Sequence, residues 1–368
     1  MIAALSLTIW LYLLFAHGKF WRSTPQLPAA EPREFPQVDI IVPARDEAAT
    51  IAAAIASLRA QDYAGPFRII VVDDESSDGT AALAGTAPNL LTLRGQPKPE
   101  GWSGKLWALH QGTASSRAPL LLFTDADIVH DPRHLSSLIA RLQLRQVQMV
   151  SEMVRLQCTS RAERALIPAF VFFFQMLYPF AKVNDPRSAT AAAAGGTILI
   201  RSEALARCGG IGAIKSALID DVALARAIKA CGPIELSHSG LAVSVRSYPR
   251  FVDIWRMIAR TAFTQLRYSP LWLALTVAGM ALLWWVPVWA MIWGRGWQAL
   301  CGLATVALAA ASYLPTLDRY GRSRLWAAVL PLIALFYMAA TLGSALDHWT
   351  GRGARWKSRA YARGSARR

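Results

Sequence analysis

A chain of 368 residues with 54% hydrophobic and only 17% charged residues is too apolar for an ordinary water-soluble protein, so part of it is expected in lipid. The four cysteines, at 158, 208, 231 and 301, make no C-x-x-C pair, which argues against a zinc ribbon or a disulfide framework and suits a reducing, cytosol-facing compartment. The net charge of +15 gathers beside apolar segments, so anionic membrane lipids, and no nucleic acid, are the expected partner.

The chain opens on MIAALSLTIWLYLLFA, near the short limit of about 17 to 25 residues for a bilayer span. A signal peptide wants a charged start and a small-residue cleavage site, whereas HGKFWR follows here, with aromatics and cations suited to an interface. The expectation is an uncleaved anchor over 1–22, with the downstream chain in the cytoplasm.

A soluble α/β domain is expected over 36–250. VDIIVPA reads as a strand and RDEAATIAAAIASLRAQ as a helix capped by Asp46. FRIIVVDD repeats the strand pattern, and ESSDGTAALAGTA gives a turn and a helix capped by Asp78. PLLLFTDAD is a third strand, followed by the helix HDPRHLSSLIARL, opened by Asp131 and Pro132. Near-continuous apolar strands joined through helices predict a mainly parallel sheet, with ligands bound beyond the carboxyl ends of its strands. Asp73, Asp74, Asp125 and Asp127 sit at those ends.

Each of these positions has a chemical and a bland reading. In an extended segment residues i and i+2 point the same way, so Asp125 and Asp127 would aim two carboxylates at one point. There a hard divalent cation, Mg2+ or Mn2+, would bridge them to phosphate oxygens; the alternative makes both mere turn formers. His130 is either a further ligand or a surface residue. Asp73 and Asp74 can accept hydrogen bonds from a base or ribose. GWSGKLWALHQG places Gly101, Gly104 and Lys105 just ahead of a helix, where Lys105 meets a phosphate or is a solvated loop lysine. No G-x-G-x-x-G follows a strand and no G-x-x-x-x-G-K-[ST] occurs, so a nucleotide-sugar is a better donor than a nicotinamide cofactor or ATP.

Farther along, PAFVFFFQMLYPF (168–180) is too short to cross a bilayer, and is either domain core or an interfacial patch for a lipid acceptor. Asp220 and Asp221 stand ahead of VALARAIKA, either as helix-start acids or as reacting carboxylates. An amphipathic interfacial helix is expected over 251–268, with Arg256, Arg260 and Arg267 on one face. Three candidate spans follow, at 271–294, 298–316 and 325–346, forming a transmembrane region over 269–346. The basic tail over 347–368 argues for a cytoplasmic end, which an odd number of C-terminal spans contradicts; Pro287 and Gly294 suggest that the first segment is re-entrant.

VPARDEAATI, VVDDESSDGT, GKLWALHQG, TDAD, AAGGTILIRSEAL and LIDDVALARA, in that order, resemble family 2 glycosyltransferases of the GT-A fold. ERALIPAFVFFFQMLYPF, NDPR and IWRMIARTAFTQLRYSP extend the resemblance to the hopene-associated glycosyltransferases of hopanoid-producing bacteria. The resemblance implies an inverting, metal-dependent transfer from a nucleotide-sugar, a UDP-sugar by preference, to a lipid acceptor, in a bacterial inner membrane with the catalytic domain facing the cytoplasm. It implies that Pro43, Ala44, Arg45 and Glu47 form the first nucleotide-contacting loop and that Asp73 and Asp74 are the uridine-side acidic pair. Lys105 would lie near the diphosphate, Asp125 and Asp127 would hold the metal, and Gly195 and Gly196 would face the acceptor. Asp221 would be the base beside Asp220, where the family usually has Glu-Asp. The Q-x-x-R-W of many processive members has no clean copy, and Arg256 and Arg260 are the nearest residues for a diphosphate contact. That departure and the few spans favour a single transfer. Two other readings stay open: a polyisoprenyl-phosphate glycosyltransferase, and a non-catalytic nucleotide-sugar or lipid-binding membrane protein.

Overall fold

The computed structural model of the protein describes residues 1–351, 355–356 and 359–360. They divide into two units, one carrying a sheet and one made of helices.

The sheet unit comprises Thr24–Gln157 and Lys182–Ser247 together with 355–356 and 359–360. Its strands are β1 (Val38–Ala44), β2 (Phe67–Asp73), β3 (Leu90–Arg94), β4 (Leu120–Thr124), β5 (Ile128–His130), β6 (Met149–Arg155), β7 (Thr197–Arg201) and β8 (Ile234–Ser244). They form one eight-stranded sheet in the order β3-β2-β1-β4-β7-β6-β8-β5. β1, β2 and β4 run parallel, as the sequence predicts; β3, which the sequence reading does not include, pairs parallel with β2, and β6 pairs parallel with β8. β7 is antiparallel to both of its neighbours and β5 to β8, so the sheet is mixed.

β1 and β4 are buried along their whole length, as central strands covered on both faces must be. Asp39 tolerates full burial in β1 because Arg68, its register partner on β2, reaches it at 2.6 Å. Pro43 is compatible with a central strand because the β1–β4 ladder ends at Ile41 and Phe123. Thr124 at the end of β4 pairs with Thr197 at the start of β7, so the antiparallel strand brings Gly195 and Gly196 beside Asp125.

Several helix starts differ from expectation. The helix Ile51–Arg59 has Thr50 at its cap; Asp46 adopts a left-handed φ of 50° and accepts instead from Ser77 N–H at 2.9 Å. Gly79 caps the helix Thr80–Ala84, with Asp78 one residue earlier accepting from Thr80 N–H at 3.1 Å. Asp131 accepts from Arg133 N–H at 3.0 Å ahead of the helix His134–Arg145.

The helical unit comprises Met1–Ser23, Cys158–Ala181 and residues 248–351. Three of its segments are long and apolar enough to cross a membrane: Pro270–Trp293, Trp297–Arg319 and Arg324–Trp349. The N-terminal helix Ile2–Phe15 has 14 residues, about 21 Å at ~1.5 Å each, short of a hydrocarbon core of about 30 Å. It packs against the first and second of the long segments. The first is helical throughout, a π turn at Ala281–Trp285 carrying the helix into Pro287. Pro287 has no N–H for the carbonyl four residues back, and Trp10 Nε1 donates to that carbonyl, Leu283 O, at 3.0 Å. Ser6 Oγ donates to Leu282 O at 2.8 Å. The short helix thus satisfies backbone groups that lipid cannot.

The apolar run 168–180 lies mainly in the helix Arg161–Leu177, where Phe172 is fully buried and packs edge-on against Tyr313 at 5.1 Å and tilted against Phe20 at 5.5 Å. It is core of this unit. The helix Phe251–Ala259 packs on the helix Leu330–Trp349 through Trp255 and Phe336, 5.6 Å apart. The expected basic tail starts inside that last helix and, beyond Gly351, lies outside the described residues except for the paired segments Arg355–Trp356 and Arg359–Ala360.

Candidate active site

Asp125 to Asp127 form a turn between β4 and β5, closed by Ile128 N–H on Asp125 O at 3.2 Å. Strand alternation therefore does not orient these two carboxylates, and each engages a different cation. Asp127, with 10% of its side chain exposed, accepts from Arg246 Nε, while Arg246 Nη2 reaches Glu47 Oε1 at 2.6 Å. Asp125, 35% exposed, lies 2.7 Å from Lys105 Nζ.

Lys105 stands in the first turn of the helix Gly104–Ala114, capped by Ser103, and not ahead of it. A cation there opposes the helix dipole, so acids must hold it. Besides Asp125, Asp220 Oδ2 lies 3.4 Å from its ammonium. Burial works against the lysine's charge, but Asp125 and Asp220 outweigh it and raise its pKa.

Asp220 and Asp221 open the helix Asp220–Cys231, where the dipole favours anions. Asp221 accepts from Val222 N–H at 2.8 Å and, across the fold, from Gly195 N–H at 3.1 Å. Burial and the neighbouring charge of Asp220 push its carboxyl up to about 7, against the pull of Lys105 and both amides. Burial likewise raises Asp125, opposed by Lys105 and assisted by Asp127 and Asp220. A Cβ on Gly195 would stand 3.3 Å from Lys105 Nζ and 3.5 Å from Asp221 Oδ2, so a side chain there would crowd the lysine ammonium slightly and touch the carboxylate. Pro43, Lys105, Asp125, Gly195, Asp220 and Asp221 all line one cleft.

Residues 39–209 match the family described as Glycosyl transferase family 2. A comparison with curated protein sequences gives no match. Among solved structures, the protein is similar to the mannosyltransferase PcManGT from Pyrobaculum calidifontis in complex with GDP-Man and Mn2+, at 19% identity and a TM-score of 0.53, covering 94% of this chain and 99% of that one. TarS of S. aureus matches at 14% identity and a TM-score of 0.43, over 84% of this chain and 54% of that one. Mannosyl-3-phosphoglycerate synthase from Rubrobacter xylanophilus matches at 19% identity and a TM-score of 0.39, over 64% and 77%. At such identity the first likeness concerns the fold, a mixed α/β sheet of GT-A type. Residues 39–209 are a family 2 glycosyltransferase domain.

In this glycosyltransferase domain the remaining expected residues lie at strand ends. Ala44 and Asp73 close β1 and β2 side by side, and Asp74 N–H donates to Ala44 O at 2.8 Å. Arg45 Nη1 stands 3.5 Å from Asp74 Oδ2, and Glu47 N–H is held by Thr80 Oγ1 at 2.8 Å. Asp73 Oδ1 is buried with no hydrogen-bond partner among the described residues, an acceptor suited to a ligand donor. Arg256 and Arg260 belong to the helical unit, on and just after the helix Phe251–Ala259; within the sheet unit, Lys105 pairs with Asp125 and Asp220, and Arg246 with Asp127.

Arg246 went unnoticed in the sequence, although it follows β8 just as the candidate aspartates follow theirs. His130 is neither surface nor ligand: it is buried, with Nε2 3.1 Å from Thr124 Oγ1 and Nδ1 2.8 Å from His134 Nδ1.

Among the described residues no group of three or more His, Cys, Asp and Glu side chains is arranged to hold a metal ion. Mg2+-type ions are instead held by one or two carboxylates plus substrate phosphates and water. The hard oxygen donors of Asp125 and Asp127 fit that mode, with Lys105 and Arg246 neutralising them meanwhile.

Proposed function

We propose that the protein is a membrane-bound, inverting glycosyltransferase that moves one sugar from a nucleotide-sugar, preferentially a UDP-sugar, to the hydroxyl of a lipid acceptor of hopanoid type. The observation that carries this reading is the meeting of Asp125, Lys105, Asp220 and Asp221 in one cleft, with Asp221 held near neutrality. Asp73 and Asp74 bind the base and ribose, assisted by Pro43, Ala44, Arg45 and Glu47. Lys105 meets the diphosphate. Asp125 and Asp127 would hold Mg2+ or Mn2+, which when bound would supply positive charge for the departing diphosphate.

Asp221 accepts the proton of the acceptor hydroxyl as the new bond forms at the anomeric carbon, on the face opposite the breaking bond to the diphosphate. A pKa of about 7 suits a base that must be ionised yet basic at neutral pH. Asp220, which shares Lys105 with Asp125, orients the acceptor. The three helices able to cross a membrane support an apolar acceptor that need not leave the bilayer. The site is placed at the cytoplasmic face of a bacterial inner membrane, where nucleotide-sugars are made.

The test is transfer by the purified full chain in lipid nanodiscs, with Mn2+ or Mg2+, radiolabelled UDP-glucose, UDP-N-acetylglucosamine or GDP-mannose, and a hopanoid-containing lipid extract. A labelled lipid with an inverted, metal-dependent glycosidic linkage is expected. A labelled polyisoprenyl phosphate would replace the acceptor. Absence of both transfer and metal-assisted nucleotide binding would overturn the reading.

A further inference from the structure

Beneath the D-x-D turn runs a chain of buried polar groups that the proposed chemistry does not use. Glu152 on β6 and His134 are in contact at 2.9 Å, both side chains essentially inaccessible. His134 Nδ1 lies 2.8 Å from His130 Nδ1, and His130 Nε2 lies 3.1 Å from Thr124 Oγ1. Thr124 Oγ1 donates to Gly196 O at 2.9 Å. Ser237 Oγ adds a bond to Glu152 at 3.3 Å.

The direction of every bond follows from the last acceptor. Gly196 O has no proton to give, so it takes the threonine hydroxyl proton, and Thr124 Oγ1 must accept from His130 Nε2–H. Burial and the neighbouring imidazole of His134 hold the pKa of His130 well below its ordinary value, so this ring is neutral and presents a bare Nδ1. His134 Nδ1–H must then be the donor to it. His134 Nε2 meets Glu152 on its far side. From His134 onward the bonds run one way, toward the loop before β7.

Thr124 immediately precedes Asp125, and Gly195, whose amide holds Asp221, immediately precedes Gly196. Ser151 fixes the other side of the loop through Ala194 N–H at 2.8 Å. We propose that Thr124 is a positioning residue whose hydroxyl, held by the His130–His134–Glu152 chain, locks the strand end bearing Asp125 and Asp127 to the loop that aims Asp221. The inference rests on the function proposed above, in which those acids serve donor and acceptor respectively. Groups that orient reacting side chains from behind typically matter by about 10- to 100-fold.

The test compares Thr124→Val, which keeps the shape and removes the hydroxyl, with Thr124→Ser, which keeps the hydroxyl. Thr124→Val should lower kcat by about 10- to 100-fold while donor KM and Mn2+-assisted UDP binding by calorimetry stay near wild type. Thr124→Ser should restore kcat. Equal activity of the two variants would overturn the proposal, as would loss of UDP binding and of Tm in step with kcat. A readout independent of transfer is the ring tautomer of His130, followed by NMR with isotope-labelled histidine. The Nε2–H form is expected in wild type and Thr124→Ser and lost in Thr124→Val. An Nδ1–H form in wild type would overturn the lock even in an active enzyme, whereas an inactive wild type with the expected tautomer counts against the proposed function alone.

Discussion

Glu163 in the helical unit and Asp221 in the sheet unit are both carboxylates in the first turn of a helix, yet their surroundings drive them in opposite directions. Burial works to raise Glu163, but the amides of Tyr248, Ser160 and Thr159 and the Thr159 hydroxyl donate to it and bring it down to about 2. Asp221 has the amides of Val222 and Gly195 and an acidic neighbour, and stands at about 7. A carboxylate whose lone pairs are filled by backbone donors is a structural part; one left short of donors beside another acid retains basicity for chemistry.

The sharpest way to break that contrast is to remove each charge. Asp221→Asn should lower kcat by about 10²- to 10⁴-fold, the range for a lost general base, with nucleotide binding preserved. Steady-state kinetics beside calorimetry reads both, and an Asn variant with near-wild-type kcat would return Asp221 to the structural class.

The next effect is in pH. With the base at about 7, kcat/KM should fall about tenfold per unit below neutrality and level off above it, and the slope should vanish in Asp221→Asn. Stability carries matching signs. Between the ordinary 3.8 and about 7 the folded state holds more protons at Asp221 than the unfolded chain, so its contribution to stability falls as pH rises through that window. Glu163 does the reverse: its contribution is present above the ordinary 4.5 and is lost as pH drops toward 2. Denaturation midpoints across pH would separate the two.

Much of this was legible in the sequence, for physical reasons. Strand ends, helix-start acids and long apolar runs are local patterns, and the three helices long and apolar enough to cross a membrane lie within a few residues of the expected segments. Strand direction is not local: TILIR reads as a buried strand either way, and only pairing between β4 and β6 makes β7 antiparallel. Arg246 meets Asp127 and Glu47 across 119 and 199 residues of chain, which no periodicity records. Glu163 was legible in principle, since Ser160 and Glu163 form the S-x-x-E capping box, but the apolar run after it drew attention toward lipid instead. Asp46, expected as a helix cap, has a left-handed backbone and accepts instead from Ser77 N–H, 31 residues along the chain, which no local pattern records.

Glu163→Gln sharpens the structural side. The amide keeps the shape but turns an acceptor into a donor facing backbone N–H groups, so stability should fall by about 1–3 kcal/mol. The measurement is chemical denaturation at neutral pH, with kcat of the folded fraction unchanged. Loss of kcat without loss of stability would mean that the helical unit also carries chemistry.

The smallest effect separates two adjacent glycines. Neither Gly195 nor Gly196 needs a left-handed φ, so alanine is allowed by the backbone and only its methyl matters. At Gly196 the methyl would meet Val154 at 3.1 and 3.2 Å and Ile128 at 3.4 Å, packed side chains that must give way. Overpacking of that kind costs about 1–3 kcal/mol, so Gly196→Ala should lower Tm. At Gly195 the methyl meets only the flexible ends of Lys105 and Asp221, at 3.3 and 3.5 Å, so Gly195→Ala should leave Tm alone. Its displacement of Asp221 is a fraction of the ~1 Å that costs about 10²-fold, so kcat should fall by less than about tenfold. The reverse pattern, with Gly195→Ala unstable and fully active, would show that the loop before β7 serves packing and that Asp221 is not its purpose.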